Sequence, residues 1–278
     1  MSIKFKIAIL DMNAGVPNEG MRCIKMLVSE FLTQDHVHGE FKVFDVRIEG
    51  KLPKLDKYDI FISSGGPGSP LVVGEQWEKD YFRFLDSLLS HNLFQQQKKH
   101  LFLICHSFQL ACLHWDIAKV TKRRSTSFGI LPIFKTEGGF SEPLFEGLDD
   151  PFYAVDSRDY QVVMPNESKL SSLEGKILCR EKIRPHVPLR RAVMAIRFTK
   201  EIFGTQFHPE ADAEGMMRYF QREEKRDIVI KKYGKKKYLN MIDRLDDDDK
   251  IVRTHSIIIP KFLAMAAENC KQYKLASV

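Results

Sequence analysis

Three short segments of the chain hold residues that could do chemistry together. The first is Leu103-Ile104-Cys105-His106-Ser107-Phe108-Gln109, where a cysteine ends an apolar run just as a helical pattern begins. A nucleophile at such a strand-to-helix bend is presented to substrate, and the helix N-terminus and an adjacent imidazolium both favour its thiolate. The same cysteine also reads as an inert core residue. The second is Gly204-Thr205-Gln206-Phe207-His208-Pro209-Glu210. The proline restrains the backbone between His208 and Glu210, and a carboxylate there can bond the imidazole and fix its tautomer. An isolated pair of this kind reads equally as a surface histidine beside a surface acid. The third is Ser63-Ser64-Gly65-Gly66-Pro67-Gly68-Ser69-Pro70. Its three glycines let the backbone turn sharply and aim N–H groups at an anion or oxyanion. It also reads as a tight turn, and it lacks the GxxxxGK[ST] pattern of a phosphate-binding loop.

The surrounding pattern says how these segments are positioned. Phe5–Leu10, Phe41–Ile48, Tyr58–Ser63 and His100–Cys105 read as strands. Between them Met21, Ile24, Val28 and Phe31 fall at helical spacing, as do Trp77, Tyr81, Leu85, Leu88 and Leu89. This rhythm predicts an α/β fold with a three-layer, mostly parallel sheet flanked by helices, and the near-continuous apolar strands suit a sheet covered on both faces. From Gly129 to Phe207, strand-like pieces separated by turns (Gly129–Phe134, Tyr160–Met164, Ile177–Arg180, Arg191–Phe198, Ile202–Phe207) predict antiparallel additions. Beyond Glu214 the chain turns helical and charged, so 1–220 is expected as one domain and 221–278 as a helical extension packed on it. All three segments follow strands, and open α/β sheets gather their sites at the carboxyl ends of strands. Cys105 and His208 can therefore meet despite their separation.

The chain has 278 residues, 43 Lys+Arg against 37 Asp+Glu, 44% hydrophobic and 29% charged residues, a composition that excludes disorder as the main state. No apolar run approaches the roughly 18 residues of a membrane span, so no membrane is expected as a partner. The opening MSIKFKIAIL reads as a first strand and not as a signal peptide. Five cysteines without a CxxC pair point to a reducing, cytoplasmic setting with no disulfide framework. No ligand spacing for a metal is present. Residues 180–200 hold seven Lys+Arg against one acid, which could face an anionic ligand or simply be a solvated hairpin face. With no RRM, KH or helix-turn-helix signature, nucleic acid is not expected. Ile257, Phe262, Met265 and Ala266 form a partly amphipathic pattern that covers either the core or a partner chain.

Taken together, the three segments resemble those of the class I glutamine amidotransferases, in particular the stand-alone GMP-synthase-like members. That family carries a GGPGS-like loop, a GxCxGxQ elbow and a late HPE, found here as Gly65-Gly66-Pro67-Gly68-Ser69, Cys105-His106-Ser107-Phe108-Gln109 and His208-Pro209-Glu210. The resemblance covers residues 3–220. It implies a flavodoxin-like arrangement and a Cys105–His208–Glu210 triad that hydrolyses the glutamine side-chain amide through a thioester on Cys105. Gly66, Gly68, His106 and Gln109 are implied as oxyanion and substrate contacts, with no cofactor and no metal. Leu103 and Ser107 stand where the family has glycines, and Arg158 stands where it often has a histidine. No SGGxDS signature follows residue 220, so synthetase activity is not encoded here. A separate synthetase subunit or a second copy of the chain is the expected partner. A free-standing γ-glutamyl hydrolase and a weakly active binding or regulatory relative are the alternatives.

Overall fold

The computed structural model describes residues 4–16, 18–35, 37–186, 188–247 and 250–276. Strand β1 (Lys4–Asp11) leads to helix α1 (Glu19–Leu32), β2 (His38–Asp45), β3 (Ile60–Ser63), α2 (Gln76–Phe94), β4 (His100–Ile104) and α3 (His106–His114). Then follow β5 (Ala118–Lys135), the short α4 (Glu137–Phe140), β6 (Phe152–Pro165), α5 (Glu167–Ser172), β7 (Lys176–Arg180), β8 (Val193–Arg197) and β9 (Ile202–Thr205). The chain closes with α6 (Ala213–Gln221), α7 (Glu223–Tyr233), α8 (Lys235–Leu245) and α9 (Ile251–Ala276).

One nine-stranded sheet runs in the order β2-β1-β3-β4-β9-β8-β6-β5-β7. The pairs from β2 to β9 are parallel; those among β9, β8, β6, β5 and β7 are antiparallel. The sheet is thus mixed: a five-stranded parallel part carries the expected antiparallel additions, which make up more of the sheet than a mostly parallel one would have. The cause lies in the connections. Only Phe198–Glu201 joins β8 to β9, and a link so short can make a hairpin but not a parallel crossover. Strand β5 also starts earlier than the apolar pattern predicts, taking in Val120–Arg124. It opens with buried Ala118 and Val120 alternating with exposed Lys119 and Thr121, and the alternation is interrupted over Lys122–Ser125, where the pairing with β6 shifts register.

Helices cover the sheet through two separate cores. On one side Ile24, Val28 and Phe31 of α1 join Ile258, Phe262 and Ala266 of α9 against Ile7, Ile9, Phe102 and Phe203. On the other, Tyr81, Leu85 and Leu88 of α2 and Phe108 and Ala111 of α3 meet Leu10, Phe61, Leu101 and Leu103. The pattern around Phe262 therefore packs into the core, its ring edge-on to Phe102 at 5.1 Å. Helix α1 starts where it does because the Asn18 side chain accepts from the Met21 N–H at 2.9 Å, capping an otherwise orphan donor. A third cluster gathers Phe220, Val229, Tyr238 and Met241 of α6–α8 over Ile130 and Val155 of β5 and β6.

Candidate active site

Cys105 is the bend between β4 and α3, with φ 48° and ψ −94°. A non-glycine residue in such a region costs about 1–3 kcal/mol and persists only where its surroundings impose it. Here the Cys105 N–H donates to the Thr205 carbonyl at 2.7 Å, and the Gln109 N–H closes the first helical turn on the Cys105 carbonyl at 3.0 Å. The hydroxyl of Ser107 accepts from the Ile104 N–H at 2.9 Å and lies 2.8 Å from the Ser63 carbonyl. The serine that replaces a glycine thus ties β3 to β4 beneath the bend. Leu103 is buried in the core on the α2–α3 side of the sheet. Its partner across the ladder is Gly204, where an added Cβ would lie 2.6 Å from Phe108 Cδ2 and 3.4 Å from Leu103 Cβ. The room beside Gly204 is taken by the Phe108 ring, and even a Cβ at 204 would stand in ordinary contact with Leu103. Ser107→Ala removes the hydroxyl that links the Ile104 N–H to the Ser63 carbonyl, and a loss of about 0.5–1.5 kcal/mol of stability follows. Thermal unfolding reads this as a lower Tm, and an unchanged Tm contradicts it.

His208 arrives from β9. Its N–H donates to the Val155 carbonyl at 2.9 Å, which pins it to β6. Its Nδ1 lies 2.7 Å from Glu210 Oε1, and His255 Nδ1 of α9 lies 2.9 Å from the Glu210 carbonyl. Glu210 is buried, and its Oε2 has no hydrogen-bond partner among the described residues. Burial opposes a charge on His208, but the Glu210 carboxylate and the Cys105 sulfur beside it outweigh that cost and hold its pKa well above the ordinary range. A Cβ on Gly65 would stand 2.9 Å from His208 Cε1 and 3.6 Å from Cys105 Cβ. The glycine loop, the cysteine and the histidine therefore converge on one point, where a side chain at position 65 would collide with the ring.

The rest of the loop is held as tightly. A Cβ on Gly66 would lie 2.2 Å from the Met12 carbonyl oxygen, and Gly68 has φ +94°. Arg47 Nη1 donates to the Pro67 carbonyl at 2.6 Å and the Met12 carbonyl at 3.3 Å, while its guanidinium stacks 5.0 Å from the Trp77 ring. His106 is the first residue of α3, where a backbone N–H has no intrahelical acceptor. Its imidazole is buried, and burial together with Arg47 pushes its pKa down to about 4, so the ring is neutral. Gln109 Nε2 donates to Gln206 Oε1 at 3.0 Å and the Tyr160 carbonyl at 3.3 Å. Gln206 Nε2 in turn reaches Cys105 Sγ at 3.6 Å. Gln206 and Arg47 are contacts that the sequence reading missed. Gln206 stood inside the segment quoted for His208 without a role, whereas nothing set Arg47 apart from the other cations.

These residues open onto a cavity of about 690 Å³. Cys105, His208 and Gly65–Gly68 line one part of it, and Ser157–Tyr160 of β6 a second. Helices α6 and α7 supply a further wall. Arg158 lines the cavity but is locked in place: its Nε donates to Asp156 at 2.9 Å and 3.0 Å, and its Nη2 is 3.5 Å from Glu181. Glu181 also pairs with Arg123 at 3.0 Å, so part of the basic 180–200 segment belongs to a partly buried ion network. Among the described residues no cluster of His, Cys, Asp or Glu is arranged to hold a metal, and no helix is long and apolar enough to cross a membrane.

The arrangement can attack an amide carbonyl with a thiolate, protonate the leaving nitrogen from an imidazolium, and meet the developing oxyanion with backbone N–H groups. A search of curated protein sequences finds no match. A glutamine amidotransferase from Thermotoga maritima superposes with a TM-score of 0.65 at 15% identity, covering 95% of this chain and 98% of that one. A Thermoplasma acidophilum protein assigned as a GMP synthase component gives 0.51 at 18% identity, covering 86% and 94%. The glutaminase domain of Trypanosoma brucei CTPS, solved with bound acivicin, gives 0.53 at 14% identity, covering 74% and 86%. At these identities the superpositions show a shared fold. The sequence profile of Glutamine amidotransferase class-I matches residues 25–224, and the chain belongs to the class I glutamine amidotransferase family.

Proposed function

We propose that this chain hydrolyses the side-chain amide of glutamine, with Cys105 as nucleophile, His208 as acid and base, and Glu210 as the group that orients and charges His208. The observation that carries the reading is that the strained Cys105 shares one cavity with a histidine held charged by a buried carboxylate. The Cys105 thiolate attacks the amide carbon, and His208 delivers its proton to the departing ammonia. The oxyanion is met by the N–H groups of Gly66 and His106, each worth about 3 kcal/mol in the barrier. Water, deprotonated by His208, then cleaves the thioester and releases glutamate. Gln109 and Gly68 border the glutamine. Through its backbone and through Gln206, Gln109 also keeps the sulfur in register.

In this reading residues 1–220 form the amidotransferase-like domain, 221–278 are a helical extension on it, and the ammonia serves a separate synthetase chain. The Thermoplasma acidophilum relative, named as one component of a GMP synthase, supports such a division of labour. The volume of the cavity favours a second reading, hydrolysis of a larger γ-glutamyl compound at the same cysteine.

The test is release of glutamate and ammonia from glutamine in equal amounts. Release of neither, from glutamine or from γ-glutamyl peptides, contradicts both readings and leaves a binding or regulatory protein. Gly66→Ala probes the oxyanion site separately. Its methyl group displaces the loop from Met12, and the loss of one aligned donor lowers kcat about 10²–10³-fold. A kcat within twofold of wild type removes Gly66 from that role.

A further inference from the structure

Away from the catalytic cavity, cations gather at the turn between β7 and β8. A cleft of about 40 Å³ is lined there by Arg123 of β5 and by Lys182, Arg184, Arg190 and Arg191 of the turn, with Glu181 as its one acid. It shares no lining residue with the catalytic cavity.

Three ion pairs end on one atom of that acid. Glu181 Oε1 lies 3.0 Å from Arg123 Nη2, 2.6 Å from Arg184 Nη2 and 3.5 Å from Nη2 of the buried Arg158. Burial opposes a charge on Glu181, but the three guanidiniums outweigh it and hold its pKa below the usual carboxylate range. Asp156 offsets the charge of Arg158. Arg191 donates from Nε to the Glu181 carbonyl at 2.8 Å, and Lys182, Arg190 and Arg191 pair with no acid among the described residues. Positive charge is therefore in surplus. Burial and then Arg158 act against the charge of Arg123, as burial and then Arg180 act against that of Arg191.

The chemistry of the cleft narrows the ligand. Guanidiniums offer forked donors that match phosphate oxygens. One carboxylate is already present in Glu181 and leaves the surplus standing, whereas a phosphate group brings up to two charges and three acceptor oxygens. The space is a few times the roughly 10–15 Å³ that one water requires, which suits a small oxyanion group. No aromatic side chain lines it, so a base has nothing to stack on.

We propose that this cleft binds the terminal phosphate or diphosphate group of a small molecule, with Lys182, Arg184 and Arg190 at its exposed mouth and Arg123 and Arg191 deeper in. The inference is independent of the amide-hydrolysis reading, because it concerns other residues and its test reads binding.

Titration calorimetry of the full chain with sodium pyrophosphate, inorganic phosphate, acetate and a short oligonucleotide without terminal phosphates tests it. About 0.15 M NaCl screens attraction beyond roughly 8 Å. Pyrophosphate is expected to bind at one site per chain with a Kd at least about tenfold below that of acetate. Lys182→Ala/Arg190→Ala is expected to raise the pyrophosphate Kd about tenfold at an unchanged Tm, since neither side chain pairs with an acid in the described structure. Binding of neither phosphate nor pyrophosphate overturns the proposal, as does equal affinity for acetate. An unchanged Kd in the variant also overturns it, by placing the anion elsewhere. Tighter binding of the oligonucleotide than of pyrophosphate overturns the small-molecule assignment. The comparison of pyrophosphate with acetate needs only the wild-type protein, so a variant that fails to fold leaves the test decisive.

Discussion

Cys105→Ala is expected to lower glutamine hydrolysis by at least about 10⁴-fold while leaving the fold intact. Removing a nucleophile takes away the covalent route itself, and what remains is the residual catalysis of binding and oxyanion contacts. No other cysteine is placed to take over. Burial pushes the thiols of Cys112 and Cys179 well up. Cys23, beside Asp212, is pushed up to about 12, chiefly by burial. The main-chain bonds that hold the elbow, from Cys105 N–H to Thr205 and from Gln109 N–H to Cys105, do not involve the sulfur, so circular dichroism and Tm stay close to wild type. Ammonia release by this variant at the wild-type rate contradicts the assignment.

Glu210→Gln is expected to cost about 10²–10⁴-fold in kcat/KM and to move the pH profile, and His208→Asn to cost at least as much. The carboxylate orients the imidazole and stabilises its charged form, and substituting its amide in comparable triads is severe. The sign of the pH effect follows from the raised pKa of His208. The imidazolium, needed as the acid, persists as pH rises and is lost only above that raised value. The alkaline limb of kcat/KM therefore lies well above the ordinary histidine value of about 6.5. Without the carboxylate, burial is no longer outweighed to the same degree, and the limb moves to lower pH. Stability follows the same linkage: the charged pair contributes fully below the unfolded value of about 6.5, and the contribution fades as pH rises through the raised folded value. A pH–rate profile of the two proteins checks this, and coincident alkaline limbs contradict it.

Much of this was legible in the residues because local physics decided it. The strand, bend and helix around Cys105 show in the run from Leu101 to Ala111, and the pairing of His208 with Glu210 follows from two positions and a proline. Less legible was whatever depends on distant partners. Nothing near Leu103 announces that Gly204 will face it across the ladder and that the Phe108 ring will fill the space beside them. Nothing near Arg47 announces that it will clamp the Pro67 carbonyl. Strand β5 was foreshortened because the charges of Lys119 and Lys122–Arg124 masked its period. Arg158 stood out only as a departure from a family pattern, and its burial against Asp156 and Glu181 comes from a β6 register that the pattern does not encode.

The central claim is that Cys105 and His208 act on one bound amide. A chloroketone analogue of glutamine, followed by peptide mapping, tests it most directly. The account predicts a single adduct on Cys105, none on the chain's other four cysteines, slowed by excess glutamine and strongly slowed in His208→Asn. An adduct on Cys23 alone, or labelling of Cys105 that is indifferent to both glutamine and His208, would contradict it.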